Sequence, residues 1–230
     1  TVHPAQYFGI EIEPWAAKIA ELVLWIGFLQ WQVSARRIDR MPPPLLQDVH
    51  HIQNADALIR FDDVEVVNGA DNKPVMRARG VTNKKGEREM IPVTRYLGVR
   101  RADWPAAEFI VGNPPFLGNK RLNDVLDPGY VEAIKGAYPE VPGTADLVMF
   151  WWWRCGELLH QAAQAEAAAK AEAAGIKAGA KAAKKKGSKK VKGKREEGAA
   201  VPLRRYGLVT TNSNTQKFNR AVVADAMGQK

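Results

Sequence analysis

Short apolar runs alternate with helix-like stretches along this chain, and that alternation predicts its architecture. Four apolar runs predict buried strands, at residues 7–12, 51–58, 108–112 and 204–211. Apolar residues recur at helical spacing in residues 14–33, 129–137 and 145–160 and from 216 onward. Apolar strands separated by helices are typical of a mainly parallel sheet covered on both faces. The pattern therefore predicts an α/β fold with a Rossmann-like, doubly wound sheet.

The first predicted helix has more apolar surface than one buried stripe requires. Pro14 suits its first turn, where the missing N–H has no helical partner. Leu22, Leu24, Trp25 and Phe28 add apolar surface beside the main stripe. We therefore expect this helix to be buried on more than one side.

Two segments interrupt the alternation of strands and helices. Residues 63–95 contain Asn-Gly and Lys-Gly turn signals between short β-like runs, which predicts a β-hairpin insertion. Residues 161–202 are rich in Ala and Lys and have no apolar face, which predicts a solvated helix that passes into disorder. The expected organisation is a core over 1–160, an insertion over 161–202, and a continuation of the core over 203–230.

Net charge and cysteine content narrow the possible functions. The chain of 230 residues has a formal charge of +9. Residues 161–200 contribute 11 Lys or Arg and 4 Glu, a net +7, so the other residues carry only +2 and the core is not strongly basic. No long uncharged apolar run predicts a membrane span. Cys155 is the single cysteine, which excludes an internal disulfide; we expect a buried thiol in a reducing, cytoplasmic protein.

The segment Phe-Ile-Val-Gly-Asn-Pro-Pro-Phe at 109–116 combines a short strand with a stiff polar turn. Pro114 and Pro115 fix φ and donate no backbone N–H, so the chain must leave the sheet there. Asn113 offers one acceptor and two donors, which suit the edge of a planar base carrying an amine. Phe116 offers a face on which such a base can stack. A common turn with a core aromatic residue is the alternative interpretation.

The tetrad 113–116 resembles the catalytic motif of methyltransferases that modify the adenine amine in DNA. The wider pattern, which adds Gly9-Ile-Glu-Ile, Trp25-Ile-Gly-Phe-Leu-Gln-Trp and Gly207-Leu-Val-Thr-Thr-Asn, resembles the MmeI-like restriction–modification and phage-defence methyltransferases. The resemblance implies a catalytic role for Asn113, Pro114, Pro115 and Phe116. Asn113 and the Pro114 carbonyl would accept from the adenine amine, and Asn113 would also border the cofactor. Phe116 would stack on an adenine flipped out of double-stranded DNA.

The same resemblance implies S-adenosyl-L-methionine as cofactor and assigns residues that bind it. Glu11, with Ile12, would take the two ribose hydroxyls, because a carboxylate can accept from both. Asp56, with Ala57, would accept from the adenine amine of the cofactor; an aspartate that closes an Asx turn is the alternative.

A third matching segment, 145–150, would begin a helix that lines the target pocket. Asp146 and Phe150 are the pocket residues that it implies. Asp146 could instead stabilise the helix N-terminus through the helix dipole. Neither the matched motifs nor any His or Cys spacing implies a metal.

Some family features are not found in the sequence. The glycine-rich motif that holds the methionine end of the cofactor is expected upstream of Thr1, so we expect the sheet to be incomplete at the N-terminus and the isolated fragment to be inactive. N-terminal and target-recognition regions of the same polypeptide are the expected partners, besides DNA. The alternatives are a related amino-methyltransferase acting on cytosine N4, RNA or protein glutamine, a non-catalytic nucleic-acid-binding module that uses 161–200, and a purely structural domain.

Overall fold

The described strands form five two-stranded sheets, two of them parallel and three antiparallel. The computed structural model describes residues 3–35, 51–82, 86–184, 202–212 and 216–228. The strands are β1 (Gly9–Glu11), β2 (Ile52–Asn54), β3 (Ile59–Arg60), β4 (Asp63–Val66), β5 (Met76–Thr82), β6 (Arg88–Pro92), β7 (Thr94–Leu97), β8 (Arg100–Arg101), β9 (Phe109–Gly112) and β10 (Arg205–Leu208). The helices are α1 (Pro14–Ser34), α2 (Leu122–Val125), α3 (Pro128–Ala137), α4 (Val148–Lys184) and α5 (Lys217–Ala226).

The first parallel pair joins β1 to β2 across α1. Gly9 lies opposite Ile52 and Glu11 opposite Asn54, so both strands end at the same edge. The helix begins at Pro14, as predicted. The expectation that it is buried on more than one side is wrong for the described structure, because Trp15 is 66% exposed and most other apolar residues of α1 are open or only partly covered.

The second parallel pair joins β9 to β10. Its ladder runs from the pair Phe109 and Arg205 to the pair Gly112 and Leu208. One face of this pair is open, since Phe109 is 60% and Val111 86% exposed. Parallel strands are normally covered on both faces, so the exposed face is available to further structure.

The insertion is one long antiparallel ribbon rather than a separate hairpin. Its strands pair in succession from the base, β3 with β8, β4 with β7, and β5 with β6. The ribbon therefore extends from 59 to 101, beyond the predicted limits of 63 and 95. A side turn near Asn68 and Pro74 interrupts one strand of it.

The core lies where α3, α4 and α5 pack against the base of this ribbon. Its fully buried large side chains include Leu58, Tyr138 and Phe150. The α4–α5 contact is close because Gly156 has no Cβ, and a Cβ there would lie 2.6 Å from Ala226. These contacts anchor the elements that surround the candidate site.

The prediction of an α/β fold with parallel strands and intervening helices is confirmed at that level. Among the residues that the structure describes, the strands do not join into one sheet, so a continuous Rossmann-like parallel sheet stays a prediction. The apolar helix predicted over 145–160 and the solvated helix predicted to follow it form one helix, α4, which continues to Lys184. The predicted disorder over 185–201 lies outside the described residues.

Candidate active site

The Asn-Pro-Pro-Phe turn leaves the sheet directly after β9. The β9–β10 ladder continues to the last residue before the turn, where Val209 N donates to Gly112 O over 2.9 Å. Pro114 is buried and anchors the turn, whereas Asn113 is exposed and Phe116 is 48% exposed. The turn thus presents an amide and an aromatic ring to solvent from a fixed support.

The loop that follows the turn is held by the N-terminal end of α4. Leu147 N donates to Leu117 O over 2.9 Å, and Asn119 N donates to Asp146 Oδ1 over 3.0 Å. Asp146 also pairs with Asn219 of α5. Its carboxylate therefore supports the loop after the 113–116 turn and accepts from none of the described first N–H groups of α4.

Glu11 and Ile12 follow the end of β1, as predicted. Glu11 Oε1 accepts from Glu13 N over 2.9 Å, which leaves Oε2 without a partner in the described part of the chain. The Asn54 side chain donates to the carbonyl oxygens of both Glu11 and Ile12, over 2.9 and 2.8 Å. Asn54 therefore fixes the backbone that carries the predicted ribose ligand.

Asp56 lies just beyond β2, beside the end of β1. Its Oδ1 accepts from Leu58 N over 2.6 Å and from Ile59 N over 3.1 Å, which is the Asx-type turn of the alternative interpretation. Its Oδ2 accepts from the Tyr130 hydroxyl over 2.7 Å. A carboxylate has about four lone-pair sites, so a contact with a cofactor amine would use the remaining capacity of Oδ2.

Several donors hold the Asp56–Ala57 turn in place. Trp104 Nε1 donates to Ala57 O over 2.6 Å, and the Tyr138 hydroxyl donates to Leu58 O over 2.8 Å. Trp104 lies in the segment that leads into β9, so its bond to Ala57 O links the turn after β2 to the segment before the Asn-Pro-Pro-Phe turn.

A tyrosine pair connects the insertion ribbon to the Asp56 turn. Tyr96 of β7 donates to Asp127 Oδ2 over 3.2 Å, and its ring lies 5.9 Å from that of Tyr130. Burial and the charge of Asp127 raise the pKa of Tyr96 to about 12. Burial and the charge of Asp56 raise the pKa of Tyr130 well above its usual value. Both hydroxyls therefore stay protonated and act as donors at neutral pH.

Phe150, predicted to line the substrate pocket with Phe116 and Asp146, lies in the core. It has no exposed surface, and its ring packs edge-on against Tyr138 with a centroid distance of 5.8 Å. In this structure Phe150 supports α4 and offers no face to a substrate. The sequence could not separate the two roles, because an apolar residue near a helix N-terminus fits both.

The structure groups the predicted residues at two places. Glu11 and Asp56 follow adjacent strand ends. The 113–116 turn and Asp146 meet at the loop after β9. In the described residues no backbone hydrogen bond joins β1 to β9; Trp104, in the segment before β9, donates to Ala57 O. Four supporting residues were not predicted from the sequence: Asn54, Trp104, Tyr130 and Asn219. Only Asn54 was close to a predicted site residue in the sequence, since it lies two positions before Asp56.

Two negative findings apply to the described part of the chain. It holds no group of three or more His, Cys, Asp or Glu side chains placed to bind a metal ion. Among its helices, none has the length and apolar character needed to span a membrane.

Comparison with known proteins identifies the family. Residues 1–184 match the family model described as MmeI, DNA-methyltransferase domain. No curated protein and no solved structure matches the chain. The match covers most of the 230 residues, from β1 to the end of α4, and includes the turn after β9. As the motifs predicted, the chain belongs to the family of MmeI DNA-methyltransferase domains.

Proposed function

We propose that this chain is the catalytic part of a site-specific DNA methyltransferase that transfers a methyl group from S-adenosyl-L-methionine to the N6 amine of adenine, in restriction–modification or phage defence. The observation that carries the proposal is the pairing of an exposed Asn113 with a half-exposed Phe116 on one proline-fixed turn. Family membership supports the reaction class.

The turn provides what an amino-methyltransferase needs at the target base. Duplex DNA hides the adenine amine, so the base must first leave the stack. Phe116 would then stack on it, a contact worth about 1–3 kcal/mol. The Asn113 side-chain oxygen and the Pro114 carbonyl would accept from the amine, which draws its nitrogen towards tetrahedral geometry and directs its lone pair. Pro115 would hold the two acceptors and the Phe116 ring in fixed relative positions, because its fixed φ restricts the backbone conformation of the turn.

The residues after β1 and β2 fit the nucleoside part of the cofactor. Glu11 Oε2 has no partner among the described residues and suits ribose hydroxyls, and the exposed Ile12 offers an apolar surface next to it. Asp56 and Ala57 follow the adjacent strand end, where the cofactor's adenine would lie. When bound, the cofactor supplies an activated methyl group, so the protein contributes orientation and electrostatics.

The proposal requires further parts of the polypeptide. A glycine-rich segment would complete the cofactor cleft, and a target-recognition region would select the DNA sequence. The open apolar face of β9 supports additional packing there, since Val111 is 86% exposed. The substrate complex would then contain double-stranded DNA with one flipped adenine.

The experiment is to identify the methylated base. The full-length polypeptide is incubated with unmethylated plasmid DNA and S-adenosylmethionine, and the DNA is digested to nucleosides for mass spectrometry. We expect N6-methyladenine alone. If N4-methylcytosine is found instead, the substrate is cytosine and not adenine. If the folded, cofactor-bound protein produces no methylated nucleoside, the proposal is overturned.

A further inference from the structure

A reciprocal pair of hydrogen bonds joins Asp146 to Asn219. Asp146 N donates to Asn219 Oδ1 over 3.1 Å, and Asn219 Nδ2 donates to Asp146 Oδ2 over 2.9 Å. Asn219 is 2% exposed, although most asparagines lie at the surface. A buried amide held at both ends is costly to disturb, because removing one partner leaves the other without its bond.

The same carboxylate also holds the loop after the catalytic turn. Asp146 Oδ1 accepts from Asn119 N over 3.0 Å, and the adjacent Leu147 N donates to Leu117 O over 2.9 Å. These two bonds flank Gly118, where an added Cβ would lie only 3.6 Å from Asp146 Oδ1. The loop therefore lies against residues 146–147 within one residue of Phe116.

We infer that Asp146 and Asn219 are positioning residues that set the Asn113–Phe116 turn for methyl transfer. This inference rests on the proposed function and deepens it by assigning a support to the target-base side of the site. Asn219 on α5 fixes the Asp146 carboxylate, and the carboxylate fixes the backbone that follows Phe116. Each carboxylate oxygen of Asp146 accepts one of these bonds, so we assign its effect on the site to the loop that it holds.

An exchange of the two side chains tests this role. Asp146→Asn places two amide NH₂ groups face to face, and Asn219→Asp places two carboxylates face to face. The double variant Asp146→Asn/Asn219→Asp restores the two bonds between these residues and the bond from Asn119, since residue 219 then accepts from residue 146 twice and the oxygen of residue 146 still accepts from Asn119 N. The single negative charge of the pair moves from residue 146 to residue 219, while the geometry stays the same.

The readouts are kcat and KM of the full-length polypeptide with tritiated S-adenosylmethionine and unmethylated plasmid DNA. We expect each single change to lower kcat by about tenfold with the cofactor KM within about twofold, and the double variant to recover to within about threefold of wild type. Asn123→Asp is the control for Asn219→Asp. It changes an exposed residue of α2, adds one negative charge as Asn219→Asp does, and should leave kcat unchanged. Failure of the double variant to recover, with a normal thermal unfolding curve, would assign Asp146 a direct contact and overturn the inference.

Hydrogen exchange provides a readout that does not depend on activity. The amides of residues 119 and 146 should lose protection in both single variants and regain it in the double variant. Unchanged protection in the single variants would show that the Asp146–Asn219 pair does not hold the loop. If the wild type transfers no methyl group, the proposed function fails, and the exchange measurement still decides whether the Asp146–Asn219 pair holds the loop.

Discussion

The Tyr130 hydroxyl donates to Asp56 Oδ2 over 2.7 Å and so joins α3 to the turn after β2. The two residues are 74 positions apart in the chain. Burial and the charge of Asp56 raise the pKa of Tyr130, so the hydroxyl remains a donor at neutral pH. This bond orients the carboxylate that we propose for the cofactor's adenine amine.

Loss of the Tyr130 hydroxyl should weaken cofactor binding more than catalysis. In Tyr130→Phe we expect a Kd for S-adenosylmethionine about three- to tenfold higher, because a hydrogen bond to a charged group contributes about 1.5–3 kcal/mol and only part of it reaches the ligand. Isothermal titration calorimetry measures the Kd. Tyr96→Phe is the matched control, because the Tyr96 hydroxyl donates to Asp127 and not to Asp56. This change should alter the Kd less than twofold. Equal effects of the two changes would contradict a specific role for Asp56.

Two glycines of α3 should respond to alanine in opposite directions. An added Cβ at Gly129 would lie 2.4 Å from Thr94 O of β7, whereas at Gly136 no atom lies within 4 Å. We expect Gly129→Ala to lower the free energy of unfolding by about 1–3 kcal/mol and Gly136→Ala to raise it by about 0.5–1 kcal/mol. Urea denaturation followed by circular dichroism measures both. An unchanged free energy of unfolding in Gly129→Ala would show that α3 does not pack tightly on the ribbon.

Arg101 should make stability sensitive to acid. Its Nη2 donates to both carboxylate oxygens of Glu140 and its Nη1 donates to Glu157 Oε1, and its guanidinium lies 4.4 Å from the Trp153 ring centroid. The pKa of Glu140 is lowered in the folded protein; burial acts against this, but the hydrogen bonds and charge of Arg101 outweigh it. The ionised form is thus favoured by folding.

The sign of the pH effect follows from that lowered pKa. The contribution is complete above the unfolded carboxyl pKa of about 4.3 and is lost as pH falls through the lower folded value. Wild type should therefore lose more stability than Glu140→Gln between about pH 5 and 3. Urea midpoints across this range give the comparison, and parallel losses in the two proteins would contradict the assigned ion pair. The effect is small, since the Glu140 side chain is 41% exposed.

The sequence predicted the order of elements well because most of them depend on local patterns. Pro14 marked the first residue of α1, and the two prolines after β9 marked the end of that strand. The extent of the ribbon was underestimated, because the pairing of Ile59 with Arg101 depends on contacts 42 positions apart. The surplus of apolar residues in α1 indicated burial, but this pattern does not identify the element that would cover the helix.

The candidate site was predictable only where its chemistry is carried by short motifs. Asn113 and Phe116 stand out in the sequence because they flank two prolines. Asn219 does not, because its partner Asp146 lies 73 positions away and no periodicity connects them. Phe150 matched a motif yet lies in the core, since position within a helix does not determine which neighbours surround a side chain.

The central claim is that the turn after β9 performs the chemistry, and Asn113→Ala tests it most directly. The measurement is transfer of tritiated methyl groups to unmethylated plasmid DNA by the full-length polypeptide, with exposed Asn123→Ala as the matched control. We predict that Asn113→Ala lowers kcat by at least about 100-fold with folding intact, as expected for a group that orients the reacting amine, and that Asn123→Ala retains wild-type activity. Undiminished transfer by Asn113→Ala would contradict the account.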